Sequence, residues 1–383
     1  MKKQLYITFF LLVGSLQAQT ALYNAGNIRI HPNGQLGFHT DLINNASFDQ
    51  NAGLAGFYGS TTLNVSGAFM PVFFDTEIVN PNGVLLSTGL SVTNNANFVV
   101  GDFISPKDQM DVYFNFFQDA FATGAADNTK VDGFAALTNK QTFSFPVGDA
   151  QQLRPLILNS ESVNAFAKCA YFFEDPNNPS AFPEIFDTTR KIRDIGNIST
   201  FEFWRLEGSV PSTVTLSWNT RSNLPAVADD VLNVIIVGWN KSARRWLELG
   251  NIAIGGDLDL GFVTSEPFTP EEYDIITFGT VAVPTEILTL DNYLLTPNGD
   301  GVNDVLVIQE LIDLSPNNSL KIFDRNGLQV FDMINYSNEF DGTSNMDNLV
   351  INRDAGLPEG VYFYLIFMDD LDLEFQGFLY LDR

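Results

Sequence analysis

Short runs rich in Val, Ile, Phe and Thr recur along nearly the whole chain, and clusters of Asn, Gly, Pro and Asp separate them. Apolar residues at helical spacing are almost absent. Short apolar runs bounded by turn-forming residues are typical of β-strands. The sequence therefore predicts an all-β chain.

A weak internal repeat lies near the N-terminus. "HPNGQLGFHTDLINNASF" begins at His31 and "NPNGVLLSTGLSVTNNANF" begins at Asn80, so the two copies are about 50 residues apart. Stacked strand–turn units of this kind predict a β-solenoid-like domain over residues 19–142, in which paired Asn side chains form ladders from rung to rung. A β-sandwich with two similar hairpins is the alternative.

The central part of the chain, residues 143–280, contains all four Trp residues. "STVTLSW" (212–218) alternates apolar and polar residues, as a half-buried strand does. "VLNVIIVGWN" (231–240) and "RRWLELG" (244–250) predict a hairpin, and "FTPEEYDIITFGT" (268–280) predicts the last strand. A β-sandwich with a Trp-lined core fits this pattern. The four residues are Trp204, Trp218, Trp239 and Trp246.

A short linker, residues 281–287, precedes a third domain at 288–383. Its predicted strands are 305–311, 319–332, 360–370 and 374–383, the last of them an edge strand that runs to the terminus. Asn326-Gly327 is a strong hairpin signal, because both residues tolerate a positive φ.

The charge balance limits the partners of the chain. Charged residues make up only 17% of it, yet the formal net charge is −26, which indicates a folded acidic surface. Such a surface repels phosphate backbones, so no nucleic-acid partner is expected. Lys2, Lys3 and the apolar run 5–13 predict a signal peptide over residues 1–18, with cleavage after Ala18. No later run is long and apolar enough to span a bilayer, so we expect an exported, soluble protein.

Residue patterns that would indicate catalysis are missing. Cys169 is the only cysteine and lies in the apolar run "FAKCAYFF", which predicts a buried, inert thiol. His31 and His39 have no further His or Cys to complete a zinc site, and we expect them to face solvent or to stack. No nucleophile elbow, Walker loop or dinucleotide motif is found in context. We therefore expect no enzyme and no cofactor, apart from calcium as discussed next.

The loop "LLTPNGDGVND" (294–304) offers oxygen-bearing side chains on Asn298, Asp300, Asn303 and Asp304. Calcium takes six to eight oxygen ligands, so this loop is a candidate calcium site. The spacing is not that of an EF-hand and no distal Glu follows. The alternative is an Asx-turn network in which these side chains accept hydrogen bonds from their own backbone amides.

The last quarter of the chain resembles a known family through motifs that stand in the family's order: "LTPNGDGVND" (295–304), "LKIFDRNGLQVFD" (320–332), "FDG" (340–342), "LPEGVYFYLI" (357–366) and "GFLYLDR" (377–383). The family is the gliding-motility-associated, type B C-terminal sorting domain of Bacteroidota, exported by the type IX secretion system. Asn326 and Phe340 stand where this family often has Trp. The matching positions are Pro297, Asn298, Gly299, Asp300, Gly301, Asn303, Asp304, Arg325, Gly327, Gly342, Pro358, Gly360, Tyr362 and Gly377.

The resemblance implies a fold, a route and partners. The domain would be an Ig-like β-sandwich, read by a SprA-like type IX translocon and held at the cell surface by an outer-membrane β-barrel of the PorP/SprF family. The short chain is also similar to SprC-like or RemZ-like companions of the gliding apparatus, which implies a surface adhesin complex. The leading hypothesis is a non-catalytic cell-surface protein. A carbohydrate- or surface-binding adhesin with exposed Trp or Phe faces and a surface hydrolase are the alternatives.

Overall fold

The computed structural model describes residues 21–282, 293–346, 356–371 and 373–383. The chain divides into two compact units, Met1–Val281 and Ala282–Arg383. The predicted signal peptide and residues 283–287 of the predicted linker lie outside the described residues. Within the described residues, no helix has the length and apolar character needed to cross a membrane.

The first part of the first unit consists of short strands separated by tight turns. Most of the strands are short, and Gly, Asn or Pro follows most of them, which allows the chain to turn there. The strands are β1 (Ala21–Asn24), β2 (Gln35–Phe38), β3 (Asp41–Asn44), β4 (Leu54–Tyr58), β5 (Leu63–Ser66), β6 (Val72–Val79), β7 (Val84–Leu86), β8 (Leu90–Val100), β9 (Phe103–Ile104), β10 (Phe114–Phe116), β11 (Phe121–Thr123), β12 (Val131–Asp132) and β13 (Ala135–Phe145).

These strands form two parallel stacks that the chain visits in turn. One sheet has the order β1-β3-β5-β7-β9-β12, and the other begins β2-β4-β6-β8-β10-β13. Every pairing along both stacks is parallel. Alternation between two parallel stacks is the geometry of a two-sheet solenoid. The predicted β-solenoid-like segment is therefore confirmed.

The paired Asn residues of the two repeat copies, Asn44-Asn45 and Asn94-Asn95, do not stack on each other, because β3 and β8 belong to different sheets. A different Asn pair is stacked between the first two rungs. Asn24 of β1 lies opposite Asn44 of β3, and both side chains are buried. The Asn24 Nδ2 donates to the Asn44 Oδ1 at 2.6 Å, and the Asn44 Nδ2 donates to the Phe69 carbonyl at 2.8 Å. Each buried amide is thus satisfied by the next rung, which removes the cost of burying it.

The sequence repeat of about 50 residues is not the period of the solenoid. Strand partners on successive rungs are about 20 residues apart, as in Ala21 opposite Asp41 and Leu63 opposite Val84. The first Pro-Asn-Gly leads into β2 of one sheet, whereas the second leads into β7 of the other sheet. The two copies therefore share turn chemistry but lie on opposite sheets.

Strand β13 joins the solenoid to the central sandwich. It pairs parallel with β10 and antiparallel with β14, so the sheet continues across residue 142, where the sequence places a domain boundary. The next strands are β14 (Leu156–Phe172), β15 (Ile195–Ile198), β16 (Phe203–Gly208), β17 (Ser212–Trp218), β18 (Val234–Asn240), β19 (Arg245–Glu248), β20 (Ala253–Gly256), β21 (Gly261–Thr264) and β22 (Tyr273–Val281). Short 3-10 helices lie at Thr220–Ser222, Leu224–Ala226, Val231–Asn233 and Pro270–Glu272.

Aromatic residues fill the interior of this sandwich, and all four Trp side chains are buried. The predicted hairpin is β18 with β19, and it places Trp239 opposite Trp246. A buried ion pair lies in the same interior: the Arg154 guanidinium contacts the Glu202 carboxylate at 2.7 Å, and the Tyr171 hydroxyl donates to Glu202 at 2.7 Å. These extra hydrogen bonds allow the two charges to be buried together.

The second unit contains one described sheet, with the strand order Tyr293–Leu295, Leu373–Leu381, Gly360–Met368, Asn318–Phe323 and Gln329–Ile334. Its residue Gly327 has a φ of 81° in the turn between two antiparallel strands, which confirms the Asn326-Gly327 hairpin. The fold fits a β-sandwich, as predicted. The elements are β23 (Tyr293–Leu295), α1 (Leu311–Leu314), β24 (Asn318–Phe323), β25 (Gln329–Ile334), β26 (Gly360–Met368) and β27 (Leu373–Leu381).

Two expectations for this unit were wrong. β27 is not an edge strand, because it pairs with β26 on one side and with β23 on the other. No strand forms over 305–311, although Leu306 and Ile308 are buried in the core and the residues beside them are exposed. The Leu306 amide donates to the Phe340 carbonyl and the Ile308 amide to the Asn338 side chain, so an extended segment packs its side chains without a strand partner.

Candidate functional site

Strand pairing brings most of the sorting motifs to one end of the C-terminal sheet. β23 runs parallel to β27, with Leu295 opposite Leu381, so both strands finish at this end. β26 is antiparallel to β27 and begins there at Gly360. β24 is antiparallel to β26, and its last residue, Phe323, lies opposite Phe363. We call this region the motif end; it comprises residues 296–304, 324–328, 341–342, 356–359 and 382–383.

The loop 296–304 is held by its own side chains. The two carboxylate oxygens of Asp304 accept hydrogen bonds from the amides of Gly299 and Gly301, both at 2.7 Å. Asp300 accepts from the Val302 amide at 2.8 Å, and the Asn298 side chain accepts from the Asp300 amide at 2.9 Å. The amides of Gly299 and Gly301 hold the pKa of Asp304 below its usual range. The structure thus contains the Asx-turn network that the sequence offered as one of two alternatives.

The same oxygens bear on the calcium hypothesis. Both oxygens of Asp304 and one of Asp300 accept hydrogen bonds from backbone amides, and each of these oxygens keeps a further lone pair. Asn303 has a φ of 55° and contributes its carbonyl to the Thr296 amide at 2.8 Å. The structure therefore shows the turn network, and calcium binding at this loop stays a prediction.

Gly342 packs against the C-terminal residues. Its φ is 81°, a conformation that favours glycine. A side chain at this position would meet Leu381 at 3.0 Å and both Arg383 and Pro297 at 3.3 Å. The Arg383 guanidinium donates to the Gly342 carbonyl at 2.9 Å. The "FDG" and "GFLYLDR" motifs therefore meet at the start of the 296–304 loop. This role of Arg383 was not predicted from the sequence.

Tyr362 links three further motif positions. Its hydroxyl donates to the Pro358 carbonyl at 2.7 Å, which closes the turn that leads into Gly360 and β26. Burial, followed by the negative charge of Asp324, raises the pKa of Tyr362, while the charges of Arg383 and Arg325 act in the opposite direction. The "RNG" hairpin and the C-terminus thus both lie near this side chain.

Gly377 is a motif position that lies away from the motif end. It sits in the middle of β27, directly opposite Tyr364 of β26. A side chain on Gly377 would come within 2.2 Å of the Tyr364 hydroxyl oxygen. This glycine makes room for a core tyrosine, so its role is in packing.

The sheet face opposite the core is unusually apolar, and we call it the outward face. Phe363 and Leu294 are each 51% exposed on it. Neighbouring strands align its side chains into two adjacent rows: Leu294, Tyr380 and Val361 in one, and Phe378, Phe363 and Phe323 in the other. This surface was not predicted from the sequence, although "VYFYLIF" (361–367) carries the signal. A strand that is apolar on both faces is typical of one covered on both sides.

The remaining candidate residues take no part in such a surface. Cys169 is buried, and burial raises the pKa of its thiol well above the ordinary value, which suits an inert role. His31 is exposed, and the His39 ring lies 5.6 Å from that of Tyr58. Within the described residues no group of three or more His, Cys, Asp or Glu side chains could hold a metal ion.

Comparison with known families gives one match. Residues 288–381 match the CHU_C type IX secretion signal domain. This range contains every sorting-motif position, in agreement with the resemblance to the type B C-terminal sorting domain. Comparisons with curated proteins and with solved structures found no match.

Proposed function

We propose, from the type IX secretion signal domain at residues 288–381, that this chain is a non-catalytic cell-surface protein acting in gliding motility or adhesion. The signal domain makes the chain a type IX secretion substrate, so it interacts with that machinery and crosses the outer membrane. After export, in this proposal, a β-barrel of the PorP/SprF family holds it at the cell surface. The observation that carries the proposal is the match itself, together with the assembly of its motifs at one end of a folded domain.

The motif end supports recognition of an assembled surface rather than of a linear peptide. Gly342 and Arg383 are 41 residues apart in sequence and are in hydrogen-bond contact. Pro297 lies against the same glycine. Residues this far apart in sequence are presented together only when the domain is folded.

The outward face has exposed apolar side chains that a partner can bury when it binds. Aromatic side chains are enriched in protein interfaces, where a few buried anchors carry most of the binding energy. Phe363 lies at the centre of one row, with Phe378 on one side and Phe323 on the other. Contiguous exposed apolar patches of this kind mark interaction sites in soluble proteins. We infer that the outward face is covered by the type IX machinery during export and by the barrel afterwards.

The adhesin alternative based on Trp faces loses its support. All four Trp side chains are buried, and the least buried of them, Trp218 and Trp239, are each only 1% exposed. A sugar ring stacks on an exposed aromatic face. The Trp residues of the sandwich are therefore core residues.

A pair of fusions tests the export proposal. A reporter with an N-terminal Sec signal is joined to residues 282–383, and a matched reporter is joined to residues 21–281. In a bacterium with type IX secretion, the first should become accessible to protease on intact cells, whereas the second should stay in the periplasm. Equal surface display of both would refute the assignment of the signal to the C-terminal unit.

A second experiment tests the anchor separately from export. The tagged, exported protein is purified with its outer-membrane partners after mild cross-linking. We expect a PorP/SprF-family barrel among them, and deletion of that barrel should release the protein into the medium. Retention on the cell surface without any such barrel would contradict the proposed anchor while leaving export intact.

A further inference from the structure

A groove of about 510 Å³ runs across the outside of the second solenoid sheet. It lies in the first unit and has no part in the sorting motifs. The register places one residue from each of five parallel strands in a single row: Gln35, Leu54, Asp75, Asn95 and Phe121. Five strands at a spacing of about 4.8 Å span about 19 Å, long enough for several consecutive sugar rings.

A second row lies beside the first, and its shape depends on glycine. Gly56 is buried beneath the ring of Tyr58, and a side chain there would come within 2.2 Å of that ring. The ring can therefore lie flat along the sheet, and its hydroxyl donates to Glu77 at 3.0 Å. Burial, followed by this hydrogen bond, raises the pKa of Tyr58, so it remains a neutral donor. The row consists of Gly37, Gly56, Glu77, Asn97 and Thr123.

Planar polar groups along both rows are fixed by one another. The Asn97 Nδ2 donates to Glu77 at 2.6 Å, and the Asn94 Nδ2 donates to Asp75 at 2.7 Å. The Thr123 hydroxyl lies within 3.2 Å of the Asn97 Oδ1. Each carboxylate and amide keeps further donor or acceptor capacity beyond these bonds. Polar groups held in place before a ligand arrives lose little entropy when it binds.

Apolar rings stand beside these polar groups. Phe121 is 47% exposed, and Phe74 is 37% exposed where the register of β6 against β8 shifts between Phe73 and Asp75. Such irregularities re-aim side chains and are frequent beside functional sites. The groove therefore combines apolar ring faces with fixed planar amides and carboxylates.

We propose that this groove binds a neutral polysaccharide chain. The apolar faces of sugar rings pack on Phe74 and Phe121, and sugar hydroxyls exchange hydrogen bonds with Asn97, Asp75 and Glu77. Among the described residues that line the groove are two carboxylates and no basic side chain. Acidic polysaccharides are repelled by this lining.

The test uses the exported chain without its signal peptide, in native gels that contain one polysaccharide each. Galactomannan, arabinoxylan and laminarin are the neutral probes, and polygalacturonate is the acidic probe. We expect at least one neutral probe to retard the protein and polygalacturonate to have no effect. Phe121→Ala and Asn97→Ala should each weaken that retardation at least tenfold.

The control is Phe69→Ala, since Phe69 is 53% exposed but does not line the groove. It should be retarded like the unmodified protein. Thermal unfolding of each variant shows whether the solenoid is intact, and Phe121→Ala leaves the core untouched because its ring is at the surface. Absence of retardation by all three neutral probes, unchanged retardation of Phe121→Ala, or preference for polygalacturonate would each overturn the proposal.

Discussion

Replacing Phe363 by Ala separates docking from folding in the C-terminal unit. The side chain is 51% exposed on the outward face, so only about half of it is covered by its neighbours within the domain. Burying a whole Phe side chain is worth about 1.5–3 kcal/mol, so the replacement should destabilise the unit by about 1 kcal/mol. If the exposed half becomes an interface anchor, its loss weakens docking by about 2 kcal/mol, or about 30-fold in Kd.

The assay compares surface display with stability in the full chain. Protease accessibility on intact cells measures the displayed fraction, and urea unfolding of purified protein measures stability. Ile312→Ala is the matched control: Ile312 is 49% exposed in the same unit but belongs to α1 and not to a strand of the sheet. We expect Phe363→Ala to reduce display strongly and Ile312→Ala to leave it nearly unchanged, at a similar small cost in stability.

Two results would refute the reasoning. Display of Phe363→Ala at the level of the unmodified protein would show that the outward face is not the docking surface. An equal loss of display in both variants would show that export responds to stability alone. Adding Phe378→Ala to Phe363→Ala should deepen the defect, because the two rings lie directly opposite each other in one row.

Three further predictions concern packing and pH. Gly342→Val should destabilise the C-terminal unit more than Gly299→Ala in urea unfolding: both glycines have positive φ, but a side chain meets neighbours only at Gly342. Glu202→Gln should destabilise the first unit by about 3–5 kcal/mol, because it leaves the buried Arg154 charge uncompensated; an unchanged urea midpoint would contradict this. The pKa of Asp304 is lowered, so its contribution to stability is complete above about pH 4 and is lost as pH falls through the folded-state pKa; an NMR titration midpoint at or above the ordinary value would contradict this.

The sequence predicted those features that depend on neighbouring residues. "STVTLSW" is a strand over the predicted residues 212–218, because its alternation reports the two faces of one strand directly. The Asn326-Gly327 hairpin and the β18–β19 hairpin also formed as expected, since both are joined by short turns. Stacking of Asn side chains was expected from the repeat copies, but the stacked pair is Asn24 with Asn44 on successive rungs.

Features that depend on strand pairing between residues far apart in sequence could not be predicted from the local residue pattern. The apolar alternation of 305–311 is the same whether or not the backbone has a strand partner, so the sequence predicted a strand where the structure has an extended segment that buries Leu306 and Ile308. The position of β27 inside the sheet depends on β23, a three-residue strand far away in sequence. The groove rows depend on register across five strands, which no single stretch of sequence encodes.

Strand β13 has a consequence for how such chains diversify. It completes the parallel stack on one side and supplies the antiparallel partner of β14 on the other, so this one strand belongs to both halves of the first unit. A recombination event within residues 135–172 would separate β13 from β14 and leave each product with a strand that lacks its hydrogen-bonding partner. An exchange near residue 282 falls between the two compact units, so it keeps the strand pairings of each unit intact. We therefore expect gene fusions to keep the solenoid and the sandwich together and to exchange only the C-terminal secretion signal domain.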